Sequence, residues 1–131
     1  MYFVGQGVER DYAETAKWWR KAADQGDISA QANLGTMYRK GQGVLQDYTE
    51  AAKWYRMAAE QGLASAQYNL GLMYGPGKGV EQDYVQAYMW LNLAASQGIK
   101  NATEVLDFVA GKMTLEQIAQ AKKLAREWKP K

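Results

Sequence analysis

The sequence predicts an all-α solenoid of about three helix-turn-helix repeats, closed by a C-terminal capping helix. The stretch 30–65 is largely copied before and after itself at a spacing of 36 residues. The recurring positions include Asp11, Asp47 and Asp83, then Trp18, Trp54 and Trp90, then Gln25-Gly26, Gln61-Gly62 and Gln97-Gly98. A fixed period of this size is typical of arrays in which each unit buries its apolar face against its neighbours.

The first long helix is predicted over 11–25. Asp11 opens it and Glu14 follows at the spacing of a capping box, in which each side chain accepts from the other residue's backbone N–H. Gly26 ends it, because glycine adopts the left-handed conformation at the lowest cost. One helical face carries Thr15, Trp18, Trp19 and Ala22. The later long helices repeat these signals over 47–61 and 83–97.

Shorter helices are predicted over 29–40 and 65–74. Each has an internal glycine, Gly35 or Gly71, which costs about 1 kcal/mol relative to alanine in a helix interior. Because the glycine recurs at the same position, we interpret it as a packing requirement, namely the close approach of a neighbouring helix. Residues 1–10 resemble the end of a truncated helix followed by a glycine turn.

The end of the array departs from this pattern. Helix 83–97 is apolar almost all round, so it needs burial on more than one side. We expect residues 101–128 to cover it, with a degenerate short helix that has Asp107 in place of the glycine, and a last helix opened by a capping box of Thr114 and Gln117. The chain divides into a partial repeat, two repeats, and a degenerate repeat with its capping helix: 1–29, 30–65, 66–101 and 102–131.

Composition narrows the function. The net charge of +2 does not indicate nucleic acid, and no stretch approaches the ~18 apolar residues of a membrane span, so neither partner is predicted. The absence of cysteine and histidine excludes disulfides, thiolate or imidazole metal sites, and Cys- or His-based catalysis. No metal and no cofactor is predicted. The chain opens without a secretory signal, so a cytoplasmic or periplasmic location depends on sequence upstream of Met1.

Four patterns that suggest functional sites are interpreted as structural. The acidic residues at helix starts are helix caps rather than catalytic carboxylates. The glycine-rich turns lack the strand and the Gly-Lys-Ser/Thr of a phosphate-binding loop. The basic residues near the C-terminus form the solvated face of a capping helix. The tryptophans belong to the core rather than to a stacking surface for bases or sugars: Trp18, Trp19, Trp54, Trp90 and Trp128.

The strings LGTMYRKGQGVLQDYTEAAKWYRMAAEQG and LGLMYGPGKGVEQDYVQAYMWLNLAASQG resemble Sel1-like repeats, the 36-residue relatives of tetratricopeptide repeats. The resemblance covers roughly residues 1–106. It implies a right-handed α-α superhelix whose shorter helices line a concave groove. It also implies a role as an adaptor or scaffold for protein partners and no shared enzyme activity.

If the shorter helices line a groove, seven residues are candidates to face a ligand: Asn33, Thr36, Arg39, Lys40, Tyr68, Asn69 and Leu72. Asn33 and Asn69 are equivalent, and the resemblance implies an asparagine that holds a peptide's backbone or carboxylate. A buried amide that orients an adjacent turn would give the same sequence. The predicted function is a non-enzymatic scaffold that binds a peptide or protein segment in the groove.

Two alternatives remain. In the first, the incomplete N-terminal repeat exposes the apolar side of helix 11–25, and the chain self-associates through it. In the second, the chain is a hydrolase acting on cell-wall or lactam substrates. Without cysteine or histidine, that enzyme would need a serine such as Ser29, Ser65 or Ser96, a lysine, or paired carboxylates, and no spacing supports such a site.

Overall fold

The computed structural model describes residues 11–131, which contain helices and turns but no strand. The helices are α1 Tyr12–Asp24, α2 Ile28–Lys40, α3 Tyr48–Glu60, α4 Ala64–Tyr74, α5 Tyr84–Ser96, α6 Ala102–Ala110 and α7 Leu115–Glu127. The first five differ from their predicted bounds by at most one residue at either end. The truncated helix and glycine turn predicted for 1–10 lie outside the described residues. Within 11–131, no helix is long and apolar enough to cross a membrane.

The first six helices form two layers. We call α1, α3 and α5 the odd layer, and α2, α4 and α6 the even layer. Length does not separate the layers, because α1 and α2 have 13 residues each. Along the chain each helix packs against the next, from α1 to α6, so each helix inside the series lies between two helices of the other layer. This is the predicted all-α solenoid.

Aspartates cap the odd helices as predicted. The side chain of Asp11 accepts a hydrogen bond from the backbone N–H of Glu14 at 3.0 Å, and Asp47 and Asp83 make the equivalent bond at 3.1 Å. The reciprocal arm predicted for Glu14, and repeated for Glu50 and Gln86, is wrong at all three helices. At Glu14 the carboxylate accepts from the indole N–H of Trp18 instead. The complete capping box is found at α7, where Thr114 and Gln117 exchange both bonds.

The internal glycines of the even layer are required by packing, which confirms the prediction. A Cβ atom on Gly35 would lie 2.9 Å from Cδ1 of Tyr55, and one on Gly71 would lie 2.7 Å from Cγ of Leu91. Both distances are shorter than a van der Waals contact. The α2–α3 and α4–α5 pairs therefore approach as closely as they do because the even helix has no side chain there.

The predicted cover of α5 is also confirmed. Helices α6 and α7 both pack against α5, and α7 folds back onto α5 rather than pairing with α6. Trp128 meets Trp90 edge to face, with ring centroids 6.1 Å apart. The backbone N–H of Lys131 then donates to the carbonyl of Glu60 at 2.8 Å, so the C-terminus reaches the end of α3. These contacts close the solenoid across its last repeats.

One tryptophan does not follow the core prediction. Trp54 and Trp90 are 4% and 3% exposed, whereas Trp18 at the equivalent position is 61% exposed. The reason is the neighbour. Trp54 packs on Ala23 of the preceding odd helix and on Leu34 of α2, and among the described residues no helix precedes α1. The interpretation of Trp18 as a core residue is therefore wrong for the residues that the structure describes.

Candidate interaction surface

The even layer has one side that no other helix of residues 11–131 covers. The buried residues of α2 contact its two odd neighbours: Leu34 packs with Trp54 and Ala23, and Gly35 meets Tyr55. Residues on the remaining side are exposed or partly exposed in α2, α4 and α6 alike. We call this side the open face. It contains the predicted ligand-facing residues.

On α2, the four candidates differ in how free they are. Asn33 and Lys40 are exposed. Thr36 and Arg39 are partly buried, and both hydrogen-bond the hydroxyl of Tyr55, at 2.7 Å from Thr36 Oγ1 and 3.2 Å from Arg39 Nε. Tyr55 of α3 is itself fully buried, with its hydroxyl reaching the open face. It fixes Thr36 and Arg39 in place, so a ligand would meet them preorganised.

On α4, the three candidates lie together. Tyr68 and Asn69 are partly buried, and Leu72 is 37% exposed. The side-chain amide of Asn69 donates to the carbonyl of Ser65 at 3.0 Å, one turn back in the same helix. Neither Asn33 nor Asn69 is buried, and the bond of Asn69 stays within α4. They are therefore not buried amides that orient an adjacent turn, and a contact of either with a ligand stays a prediction.

The sequence analysis missed a third part of the open face, on α6. Phe108 is 68% exposed, and the Nζ of Lys112 lies 5.3 Å from the centre of its ring. Phe108 follows Leu72 by the same 36 residues that separate Leu72 from Thr36. This spacing would have identified it, had the repeat register been carried past the degenerate Asp107.

A ladder of glutamines links the repeats, and it was also missed. The buried amide of Gln31 donates to the carbonyl of Ala23 at 3.3 Å and accepts from Gln61 at 3.0 Å. One repeat later, Gln67 donates to Ala59 at 3.3 Å and accepts from Gln97 at 2.9 Å. Helices α2 and α4 are thereby each joined to the ends of both odd neighbours. The signal was present, because Gln31 and Gln67 are also 36 residues apart.

The glycine turns have a structural role. Gly43 and Gly79 have φ of +77° and +74°. A Cβ atom on either would lie 2.1–2.2 Å from a backbone carbonyl oxygen of the preceding odd helix, Tyr12 or Tyr48. Each turn thus packs directly against the first turn of the preceding odd helix, α1 for Gly43 and α3 for Gly79. This confirms that they are turns.

A shallow cleft of about 540 Å³ opens at the start of α5, on another side of the molecule. Its walls are Arg56, Tyr74, Val80, Glu81, Asp83 and Gln86. Three of the polar groups there already have partners: Arg56 donates to the hydroxyl of Tyr74, and Asp83 caps α5. We therefore assign the cleft a structural role.

Few electrostatic features stand out among the described residues. No group of three or more carboxylate side chains within residues 11–131 is arranged to hold a metal ion. One pKa is perturbed: burial, and secondarily the negative charge of Asp107, raises the pKa of the Tyr88 hydroxyl above its ordinary 10.0. This is the behaviour of a buried tyrosine in α5, away from the open face.

The chain is similar to a known repeat family and to solved structures. The profile of the Sel1 repeat matches residues 1–27, 28–63 and 64–99. A similar solved structure is a protective antigen present in uropathogenic Escherichia coli strains that displays an SLR fold, with a TM-score of 0.88 and 41% identity over 93% of this chain and 26% of that one. A Sel1 repeat protein from Oxalobacter formigenes matches with a TM-score of 0.72 and 40% identity, over 76% of this chain and 41% of that one. No curated protein matches.

The chain is thus a right-handed α-solenoid built from helix-turn-helix repeats. It belongs to the Sel1 repeat family. Sel1 repeats mediate protein interactions, and their fold is typically a non-catalytic scaffold. The chain spans 26% and 41% of the lengths of the two solved structures.

Proposed function

We propose that this chain is a non-enzymatic scaffold that binds a peptide or protein segment along the open face of the even layer. The observation that carries the proposal is that the residues that pack the repeats together are different from the residues exposed on the open face. The glutamine ladder, the glycine turns and the buried tryptophans hold the repeats together, and none of these residues is a predicted ligand-facing residue. Side chains such as Asn33, Lys40 and Leu72 are left free for a partner.

A preformed surface favours this role. The backbone of the open face is held in helices, and Thr36 and Arg39 are fixed by Tyr55. Binding therefore requires little ordering on the side of the solenoid, which leaves more of the contact energy for affinity. The ordering cost falls mainly on the bound segment.

The test is capture of a partner from a lysate of the source cell, followed by titration of the purified partner. The double variant Tyr68→Ala/Asn69→Ala removes side chains from the middle of the open face. We expect it to weaken the affinity for the partner at least tenfold, equivalent to about 1.4 kcal/mol of binding free energy, with unchanged helicity by circular dichroism.

The matched control is Lys122→Ala/Lys123→Ala, which changes two exposed residues on α7. It should bind like the parent. If the folded Tyr68→Ala/Asn69→Ala variant keeps full affinity for the captured partner, or if the control loses the partner equally, the open face is not the binding site.

Self-association is the second candidate, and Trp18 favours it. An indole that is 61% exposed, at a position buried in the next two repeats, is a surface that another helix would cover. The other end of the solenoid does not supply that helix. Asp107 stands on α6 at the position of Gly35 and Gly71, so a second copy's α1 would meet a charged side chain where close packing needs none.

Sedimentation separates the two candidates. A mass that rises with concentration, and that falls back to the monomer in Trp18→Ser, would support self-association through α1. A monomer at high concentration removes it.

The hydrolase alternative has no support among the described residues. The Ser96 hydroxyl donates to the carbonyl of Leu93, and Ser29 and Ser65 lie in the first turns of two different helices. We therefore do not propose it.

A further inference from the structure

The open face changes character along the solenoid. Its central row is Thr36 on α2, Leu72 on α4 and Phe108 on α6, at equivalent positions of successive even helices. Thr36 is partly exposed, Leu72 is 37% exposed and Phe108 is 68% exposed. The apolar area exposed to solvent thus increases from α2 to α6. Large apolar side chains are usually buried, so the exposure of Leu72 and Phe108 needs an explanation.

Tyr68 and Lys112 flank the apolar end of the row. Tyr68 lies four residues before Leu72 on the same side of α4 and is partly exposed. Lys112 lies over the ring of Phe108, with its ammonium 5.3 Å from the ring centre. The contact with Lys112 does not bury Phe108, which keeps most of its surface in water. Exposed apolar side chains grouped in this way mark a surface that another chain covers.

Charge gives the row a direction. Helices α2 and α4 contain no aspartate or glutamate, and α2 ends with Arg39 and Lys40. Helix α6 instead carries Glu104 and Asp107, both exposed, and these two carboxylates outnumber Lys112, which follows the helix at the repeat position of Lys40. A carboxylate on a bound segment therefore favours the α2 end over the α6 end.

We infer that the open face binds an extended peptide that places apolar side chains against Leu72 and Phe108 and acidic side chains against Lys40 and Arg39. This inference rests on the proposed function and names the chemistry of its partner. Adjacent helices are spaced by about 10 Å, so the row spans about 20 Å across three helices. An extended chain covers that distance with about six or seven residues.

The probes are fluorescein-labelled heptapeptides. The matched peptide has Asp-Glu at one end and Leu and Phe, separated by a serine, at the other, and it is made in both chain directions. In one analogue lysines replace the acidic pair, and in another serines replace Leu and Phe. Fluorescence anisotropy against the full chain gives each dissociation constant. We expect the matched peptide, in one direction, to bind at least tenfold more tightly than either analogue.

Two variants test the two ends separately. Phe108→Ser should weaken the binding of the matched peptide about tenfold and leave the affinity for the serine analogue unchanged. Lys40→Glu should weaken the binding of the matched peptide and strengthen the binding of the lysine analogue. Both residues are exposed, so the fold is expected to tolerate both changes, and circular dichroism checks this. Lys122→Glu makes the same charge change on α7 and should leave all affinities as they are.

Equal affinities for the matched peptide and its analogues overturn the inference, as does full affinity in Phe108→Ser and Lys40→Glu. So does sedimentation that shows a dimer lost in Phe108→Ser, because a second copy would then be the occupant. If a captured partner depends on Tyr68 and Asn69 but not on Phe108 or Lys40, this inference fails and the proposed function stands. If no partner depends on Tyr68 and Asn69, the proposed function fails and takes this inference with it.

Discussion

Helices α1 and α5 occupy the same position in two repeats, yet their surroundings are opposite. In α1 the buried residues are Ala16 and Ala23. In α5 they are Ala87, Tyr88, Met89, Trp90, Leu91 and Ala94. Helix α5 lies between α4 and α6 and is covered by α7, whereas among the described helices α1 packs mainly against α2.

The difference shows that a repeat position fixes which neighbours a side chain needs, and the neighbours then decide whether it is buried. Trp18 and Trp90 illustrate this, since the same residue type is 61% exposed in α1 and 3% exposed in α5. The outer face of α5 has also adapted, because Met89 and Leu93 replace the lysines found at these positions in α1. Stability should therefore be lowest at α1 and highest around α5.

The largest effect is expected from the tryptophans. Trp90→Ala should lower the free energy of unfolding by about 3–5 kcal/mol, because it empties a filled site between α5 and α7. Trp18→Ala should lower it by about 0.5 kcal/mol, as for an exposed residue. Urea unfolding followed by circular dichroism measures both, and Trp90→Phe is a milder substitute. Equal losses at the two positions would refute the contrast between α1 and α5.

The turn glycines sharpen the same contrast. Gly79→Ala should cost about 3 kcal/mol, because the residue has a positive φ and its new Cβ would collide with the carbonyl of Tyr48. Gly98→Ala, with a positive φ but no atom within 4 Å, should cost about 1 kcal/mol. Gly43→Ala makes the collision against Tyr12 of α1. It should cost less than Gly79→Ala, since α1 can shift, and an equal cost would show that α1 is held rigidly.

The glutamine ladder gives a smaller effect. Gln61→Ala should cost about 1–3 kcal/mol, because it leaves the buried side-chain oxygen of Gln31 without its donor. Gln25 occupies the equivalent place at the end of α1 and is exposed, so Gln25→Ala should cost no more than about 0.5 kcal/mol. Thermal unfolding of the two variants beside the parent makes the comparison. A Gln25→Ala loss as large as that of Gln61→Ala would contradict it.

The smallest effect is the pH dependence from Tyr88. Its pKa is raised in the folded chain by burial and by Asp107, so folding favours the protonated hydroxyl. Below the ordinary value of 10.0 the hydroxyl is protonated in both states and nothing changes. As the pH rises from there through the folded pKa, stability is lost. Urea midpoints at about pH 8 and about pH 11 should differ less in Tyr88→Phe than in the parent; an unchanged difference would show that Tyr88 is not the cause.

Much of the fold was predictable because the repeat supplies the same signal three times. Asp47 and Gly62 mark the ends of α3 just as Asp83 and Gly98 mark those of α5, and the aspartate caps form as predicted. The reciprocal half of the capping box was wrong at all three aspartate caps, and at Glu14 the carboxylate accepts from Trp18. Local sequence gives the spacing of possible partners, but it does not give the choice among them.

The site was less predictable. The seven candidate residues lie on α2 and α4 as expected, but the sequence did not show that the hydroxyl of Tyr55 holds Thr36 and Arg39, since those contacts cross between helices. Phe108 was missed because Asp107 ended the visible repeat one residue earlier. The exposure of Trp18 depends on a neighbour that no pattern within α1 encodes.

Gly43 and Gly79 lie close to the backbone of the preceding odd helix, α1 or α3. This contact limits which sequence changes such a chain can accept during evolution. A turn that touches main-chain atoms leaves little room for insertions or for other residues. Substitutions on the open face disturb no such contact at Asn33, Lys40 or Phe108, which are exposed. Descendants of this chain can therefore acquire new partners by changing the open face, while the turns keep the same length and the same glycines.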